Sequence, residues 1–355
     1  MKVGTLTFPG SPSHGASLQM YALYTALKKM EIDVEVINYI SNRVNHRKSS
    51  MDVIKAKIAD IFLKNSEAAF ERFESQINIY PKTPIKISED IKALAERYDR
   101  IIVGSDQVWN PAVTGNDMNF YLEFCDDSSK KASYAPSFGV ERIADADRDR
   151  IAELLSDITY LSAREERGRE MIYELTGRDV PIVLDPTILI EANEWRTLKK
   201  PSGAKGEYVF VYTIKQSPKL IQTAKKFADK HGYKLVYISG GLHGVFDKFN
   251  PAKSTVSGIG PAEFLSLVDN AKYVFTNSFH GSVFSIIFNK NFFVEFSSDT
   301  NSRLKTLIQK FELEDSIIDC DSFDYEWLQR DYTRVNQMLA DKRQESLSYL
   351  KEIVG

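Results

Sequence analysis

The sequence predicts two Rossmann-like α/β domains, each a mostly parallel sheet covered by helices, facing one another across a cleft. Three observations predict this. The chain has 355 residues, and domains commonly run to roughly 100–200 residues. Short β-branched runs alternate with amphipathic helical stretches, the pattern of strands joined by helical crossovers. Between the two sets, Lys199, Lys200, Pro201, Ser202, Gly203, Lys205 and Gly206 cluster at Leu198–Gly206, a composition that breaks regular structure.

In the first set the strand candidates are Val3–Phe8, Val34–Tyr39, Arg100–Val103, Lys131–Ala135, Tyr160–Ala163 and Ile182–Leu184. Each is short, apolar and bounded by polar residues or Gly/Pro. Helices are expected at Ser17–Met30, Asp145–Leu155 and Glu165–Tyr173. The charged stretch Asn42–Ile77 has a helical period and reads as a solvated helix pair or an excursion over a site. The second set offers strands at Tyr208–Thr213, Lys234–Ile238, Tyr273–Thr276 and Phe292–Phe296. Its helices are expected at Pro218–His231, Pro261–Asn270, Ser282–Phe288 and Ser302–Phe311. Pro218 and Pro261 suit a first helical turn, where the missing N–H would be unpaired anyway. Ser217 suits the cap before Pro218. The expected division is residues 1–198, residues 199–324, and a charged helical tail over 325–355 that returns to the first domain.

Composition narrows the class. Hydrophobic residues make up 43% and charged residues 27%, with a net charge of -3. That balance argues against a dedicated nucleic-acid binder, which carries a strongly basic face. Cys125 and Cys320 have no metal or CxxC spacing and read as reduced, buried thiols. The start, Met1–Phe8, is too short an apolar run for a signal peptide. No stretch approaches the ~20 apolar residues of a membrane helix. A cytoplasmic enzyme is the simplest expectation, and no His, Cys, Asp and Glu cluster has metal spacing.

Ligands in such sheets bind beyond the carboxyl ends of strands, so polar residues there are the candidates. In Tyr273–Ser282 an apolar strand enters a small polar turn, and a helix is expected from Gly281 or Ser282. A helix start offers unpaired N–H groups to an anion. His280 stands there, either to exchange a proton near neutral pH or merely to cap the loop. In Ile101–Pro111, Gly104 permits close backbone approach. Asp106, Gln107 and Asn110 suit sugar hydroxyls, and Trp109 suits a sugar face, but a turn over a buried tryptophan is an equal reading. Arg164 follows the apolar run before it and offers a planar fork to phosphate or carboxylate. An ion pair with a nearby Glu is its commoner use. The loop Pro9–Gln19 lacks GxGxxG and a P-loop lysine, so a nucleotide reading is weak. Ser239-Gly240-Gly241 is equally unspecific, and Asp185-Pro186-Thr187 reads as an ordinary turn.

Together these segments resemble the polysaccharide pyruvyl transferase family. The matching pieces are Gly15-Ala16-Ser17-Leu18-Gln19, Gly104–Asn110, Lys131–Gly139, Ser162-Ala163-Arg164-Glu165, Asp185-Pro186-Thr187 and Ser278-Phe279-His280-Gly281. They occur in the family's order, from Gly15 to Gly281. The resemblance implies a fold like that of GT-B glycosyltransferases and a bacterial enzyme of cell-surface or exopolysaccharide biosynthesis. It implies phosphoenolpyruvate as donor, a glycan or lipid-linked sugar as acceptor, and a cyclic pyruvate ketal as product. No cofactor or metal is implied, and a lipid-linked acceptor would bring the chain to the inner face of the membrane. In the family, the residues matched by Arg164 and His280 are associated with the donor site. Some members carry Arg-Leu-His-Gly where this chain has Ser278-Phe279-His280-Gly281, so another group must hold that part of the donor. The asparagine–aromatic pair often preceding the first Gly-Ala is here Ser13-His14.

The expected roles follow. His280 is the general acid/base. Arg164 holds donor charge, aided by N–H groups after His280, with Ser278, Phe279, Gly281 and Ser282 around the donor. Asp106 or Gln107 orients the acceptor, beside Trp109 and Asn110. Two alternatives remain. A GT-B glycosyltransferase would use a sugar nucleotide, with Glu295 as its ribose partner. A non-catalytic glycan binder would bind no anionic donor, and His280 and Arg164 would not converge.

Overall fold

The computed structural model describes residues 1–41, 66–86, 88–215, 217–239, 256, 258–296, 302–326 and 328–355. Two five-stranded, all-parallel sheets form its frame. The first half runs β1 (Lys2–Leu6), α1 (His14–Lys29), β2 (Asp33–Tyr39), α2 (residues 66–74), β3 (Ile79–Ile85), α3 (Ser88–Ala95), β4 (Arg100–Val103), α4 (Pro111–Thr114), β5 (Lys131–Ser133), α5 (Asp145–Ser156), α6 (Glu166–Thr176) and α7 (Ala192–Thr197). The second half runs β6 (Tyr208–Thr213), α8 (Pro218–Lys230), β7 (Lys234–Ser239), α9 (Pro261–Asp269), β8 (Tyr273–Thr276), α10 (Phe279–Ile287), β9 (Asn291–Glu295), α11 (Ser302–Lys310), β10 (Ile317–Ile318) and α12 (Thr333–Val354). Strand order is β3-β2-β1-β4-β5 in one sheet and β10-β9-β8-β6-β7 in the other.

The central strands β1, β4, β6 and β8 are almost wholly buried, as expected of parallel strands covered on both faces. Their carboxyl ends carry the polar turns that reach the cleft. A continuous apolar core joins the halves. Leu18 and Ala22 of α1 and Trp195 of α7 pack in one cluster with Phe210, Tyr212, Phe264 and Phe284. The tail helix α12 returns to the first sheet, where Leu350, Ile353 and Val354 pack with Val3, Leu23 and Ala132. There Ser346 Oγ accepts from the Leu184 amide at 3.0 Å.

Several expectations need correction. Tyr160–Ala163 and Ile182–Leu184 are not strands; only single bridges join them, Ala132 to Tyr160 and Ala163 to Ile182. A few backbone bonds remain, Ser133 N to Tyr160 O at 2.7 Å and Val183 N to Ala163 O at 2.9 Å. Beside β5, Ser162 N donates to Ser133 Oγ at 2.9 Å and Ser162 Oγ to Ser133 O at 3.0 Å, so hydroxyls interrupt the ladder there. Strand β3 was not expected, because Pro81 and Pro84 interrupt its sequence; it lies at a sheet edge, where proline is tolerated. Helix α10 starts at Phe279, ahead of the expected Gly281 or Ser282. Of the expected excursion Asn42–Ile77, residues 42–65 lie outside the described residues, as do Gly240 and Gly241. Cys125 is buried and Cys320 half-buried, and both are free thiols.

Candidate active site

The carboxyl ends of both sheets enclose a cavity of about 280 Å³. The first half contributes Ser13, Gly15, Asp106, Gln107 and Asn110; the second contributes Tyr212, Lys215, Asn277, Ser278, Phe279, His280 and Arg303. Two helices begin at this cavity, one from each half. Ser13 caps α1, accepting from the Ala16 amide at 3.4 Å. Ser278 caps α10, accepting from the Gly281 amide at 3.2 Å. Each cap satisfies one amide, and the first amides of each helix have no intrahelical partner. The two helix dipoles therefore present their positive ends to one space.

His280 lies between them. Its side chain is about 10% exposed, and its Nε2 is 3.5 Å from Asp185 Oδ2. The opposite edge of the ring rests on α1. A Cβ on Gly15 would stand 2.1 Å from His280 Nδ1, so only glycine lets the two helix starts approach this closely.

Behind this wall is a buried charge cluster. Arg164 Nη1 donates to Asp185 Oδ2 at 2.8 Å. Arg164 also stands 3.7 Å from Glu165 Oε2 and 3.9 Å from Asp106 Oδ1, and its guanidinium lies over the Phe279 ring at 4.7 Å. Burial would lower the Arg164 pKa, but Asp185, Glu165 and Asp106 outweigh it, and the net shift is upward. Burial pushes the Glu165 carboxyl up, against Arg164 and Ser137. Burial also opposes charge on Asp185, yet His280, Arg164 and Thr187 hold its carboxyl well below the usual range.

Arg164 does not line the cavity; Phe279 and Asp106 do. Its charge is opposed by carboxylates within the protein, while its Nε and Nη2 are buried without a hydrogen-bond partner. The cationic groups on the wall are Arg303 and Lys215. Arg303 has no ion-pair partner among the described residues, and its Nε is buried without a hydrogen bond. Burial, with Arg164 nearby, lowers its pKa to about 10, leaving it charged at neutral pH. No sequence motif marked Arg303, because it follows no strand end of recognisable pattern.

The remaining candidates divide. Ser278, Phe279, Asp106, Gln107 and Asn110 line the cavity as expected. Gly281 and Ser282 do not. The Gly281 amide is held by Ser278 Oγ, and the Ser282 amide and hydroxyl both donate to Ser278 O, so the N–H groups after His280 are already used. Trp109 is about 1% exposed, stacks on Tyr121 and donates to Phe120 O; it cannot stack on a sugar. Asn110 Nδ2 donates to Gln107 Oε1 at 2.6 Å. Gly104 makes a close approach to Tyr134 O rather than to the cavity. Glu295 lies away from the cavity and accepts from Cys320 Sγ at 3.4 Å. Gln19 ties Thr7 to the Ser105 amide and so shapes the loop under Asp106. His14 spans the two halves: its Nε2 bonds Ile259 O at 3.2 Å and its ring packs on Phe264 and Tyr212. Burial lowers its pKa to about 4, partly offset by the Ile259 carbonyl, so it is neutral and donates from Nε2.

Among the described residues no group of three or more His, Cys, Asp and Glu side chains could hold a metal ion. No helix there is long and apolar enough to cross a membrane.

Two parallel-sheet α/β units with a cavity at the carboxyl edges of both define a protein of the GT-B fold. Solved structures agree in fold. UDP-GlcNAc 2-epimerase from Methanocaldococcus jannaschii matches with a TM-score of 0.53 at 14% identity, covering 96% of this chain and 92% of that one. The Neisseria meningitidis UDP-GlcNAc 2-epimerase, bound to UDP-GlcNAc, matches at 0.52 and 11%, covering 98% and 94%. A putative UDP-N-acetylglucosamine 2-epimerase from Listeria monocytogenes matches at 0.53 and 12%, covering 98% and 90%. Curated protein sequences give no match. The sequence model of the family described as Polysaccharide pyruvyl transferase matches residues 14–294. The chain belongs to that family, a family of transferases.

Proposed function

We propose that this chain transfers pyruvate from phosphoenolpyruvate to two hydroxyls of a sugar, forming a cyclic ketal and releasing phosphate. One observation carries the reading. His280 shares a single cavity with two helix starts and with Arg303, a cation that has no carboxylate partner among the described residues. Such a site suits a small donor bearing two anionic groups, one near each helix start.

The donor is an enol phosphate. A proton delivered to its methylene carbon makes a methyl group and leaves positive charge at C2. One sugar oxygen bonds to C2, and the C2–O bond to phosphate breaks. The second sugar oxygen then closes the ring. One hydroxyl proton replaces that given to carbon, and the other leaves with phosphate. His280 is the proton donor and then the acceptor, a role worth roughly 10²–10⁴-fold. Arg303, Lys215 and the positive ends of helices α1 and α10 carry phosphate and carboxylate charge through the transition state. Asp106 and Gln107, on the opposite wall, orient the acceptor.

The alternatives are less well supported. Glu295, the expected ribose partner, is absent from the cavity wall. Titration calorimetry with phosphoenolpyruvate and with UDP-sugars tests the reading. Saturable binding of phosphoenolpyruvate is expected. Binding of a UDP-sugar with no response to phosphoenolpyruvate would reverse it.

A further inference from the structure

Asp185 has more partners than a turn needs. Its Oδ1 accepts from the Thr187 amide at 3.1 Å and from Thr187 Oγ1 at 2.7 Å. Its Oδ2 accepts from Arg164 Nη1 at 2.8 Å and from Ser105 Oγ at 3.2 Å, and stands 3.5 Å from His280 Nε2. Thr187 and Ser105 are wholly buried and Asp185 nearly so. The carboxylate is thus fixed on both oxygens by the first half of the chain, while the imidazole comes from the second.

An imidazole beside a fixed acceptor is biased in its tautomer, because the nitrogen facing a carboxylate keeps its hydrogen. Here Nε2 faces Asp185 and is buried with no formed hydrogen bond. The 3.5 Å separation is longer than a formed bond, and such contacts tighten when a reacting complex forms. The other nitrogen, Nδ1, packs against Gly15, and both residues line the cavity.

We infer that Asp185 is a positioning residue. It holds His280 in the Nε2–H tautomer, so that Nδ1, at the meeting of the two helix starts, is the nitrogen that exchanges the proton. Arg164 then has a defined purpose. With Thr187 and Ser105 it keeps Asp185 ionised and immobile, although it does not touch the cavity itself. This inference rests on the proposed reaction for its kinetic consequence, but the tautomer claim does not.

Two measurements test it. The first is a long-range ¹H–¹⁵N spectrum of histidine-labelled wild-type protein with neutral imidazole, His280 being assigned by loss of its signal in His280→Gln. The Nε2–H pattern is expected, and the Nδ1–H pattern would overturn the inference. This spectrum needs no substrate, so it stands apart from any failure of phosphoenolpyruvate turnover. The second is Asp185→Asn assayed against wild-type turnover. Loss of roughly 10²-fold in kcat, with the donor KM within about twofold, is expected, because Asp185 does not line the cavity. A purely structural role would instead lower active enzyme and leave the kcat of the folded fraction unchanged, which would overturn the positioning role. If Asp185→Asn does not fold, the wild-type spectrum decides alone.

Discussion

The two walls of the cleft handle positive charge in opposite ways. Behind the first wall, Arg164 is buried among Asp185, Glu165 and Asp106. On the second, Arg303 reaches the cavity with no carboxylate within ion-pair distance among the described residues. Removing a buried cation that is opposed by carboxylates strands those carboxylates. An unopposed cation at a cavity wall is costly in stability and useful in binding. On the proposed reading, the same residue type serves architecture behind one wall and recognition on the other.

The largest expected effect tests the residue between the walls. His280→Ala should lower phosphate release by roughly 10²–10⁴-fold, measured by a coupled phosphate assay on the folded fraction. Next is the first wall. Arg164→Met should destabilise the fold by roughly 3–5 kcal/mol, as removal of one partner from a buried ion pair does; denaturant titration measures this. By contrast, Arg303→Met should raise the donor KM by roughly 10–100-fold, the worth of a charge-assisted hydrogen bond, with little change in stability. Equal destabilisation by both variants would break the comparison. The smallest effect concerns the tie between the walls. His14 is neutral in the fold, with its pKa lowered by burial to about 4 from 6.5. Its contribution is complete above pH 6.5 and is lost as pH falls toward 4, because the unfolded chain takes up the proton first. Wild-type stability should fall by up to roughly 3 kcal/mol across that window, and His14→Phe should abolish that part of the slope.

Much of this was legible in the sequence. Arg100–Val103, Tyr208–Thr213 and Tyr273–Thr276 match their strands residue for residue, because buried parallel strands read as short apolar runs. His280, Ser278, Asp106 and Gln107 line the cavity as expected, because strand ends with small polar turns lie at the carboxyl edges of such sheets. Other features were hidden for physical reasons. Two prolines disguise the edge strand β3, and serine hydroxyls interrupt the ladder beside β5. The direction of a side chain cannot be read from spacing. Trp109 therefore looked like a sugar platform but is buried against Tyr121. Arg164 looked like a donor ligand but lies one layer behind the wall. The roles proposed for Arg303 and Asp185 depend on contacts between segments distant in sequence.

The central claim is that pyruvate from phosphoenolpyruvate becomes a sugar ketal here. The most direct measurement incubates the protein with phosphoenolpyruvate labelled at C2 and a panel of free and lipid-linked glycans. Phosphate and labelled glycan are quantified together. The account predicts acceptor-dependent phosphate release, matched one for one by labelled carbon in a ketal. Phosphate release with no label in any glycan, or no release from phosphoenolpyruvate while a nucleotide sugar is consumed, would contradict it.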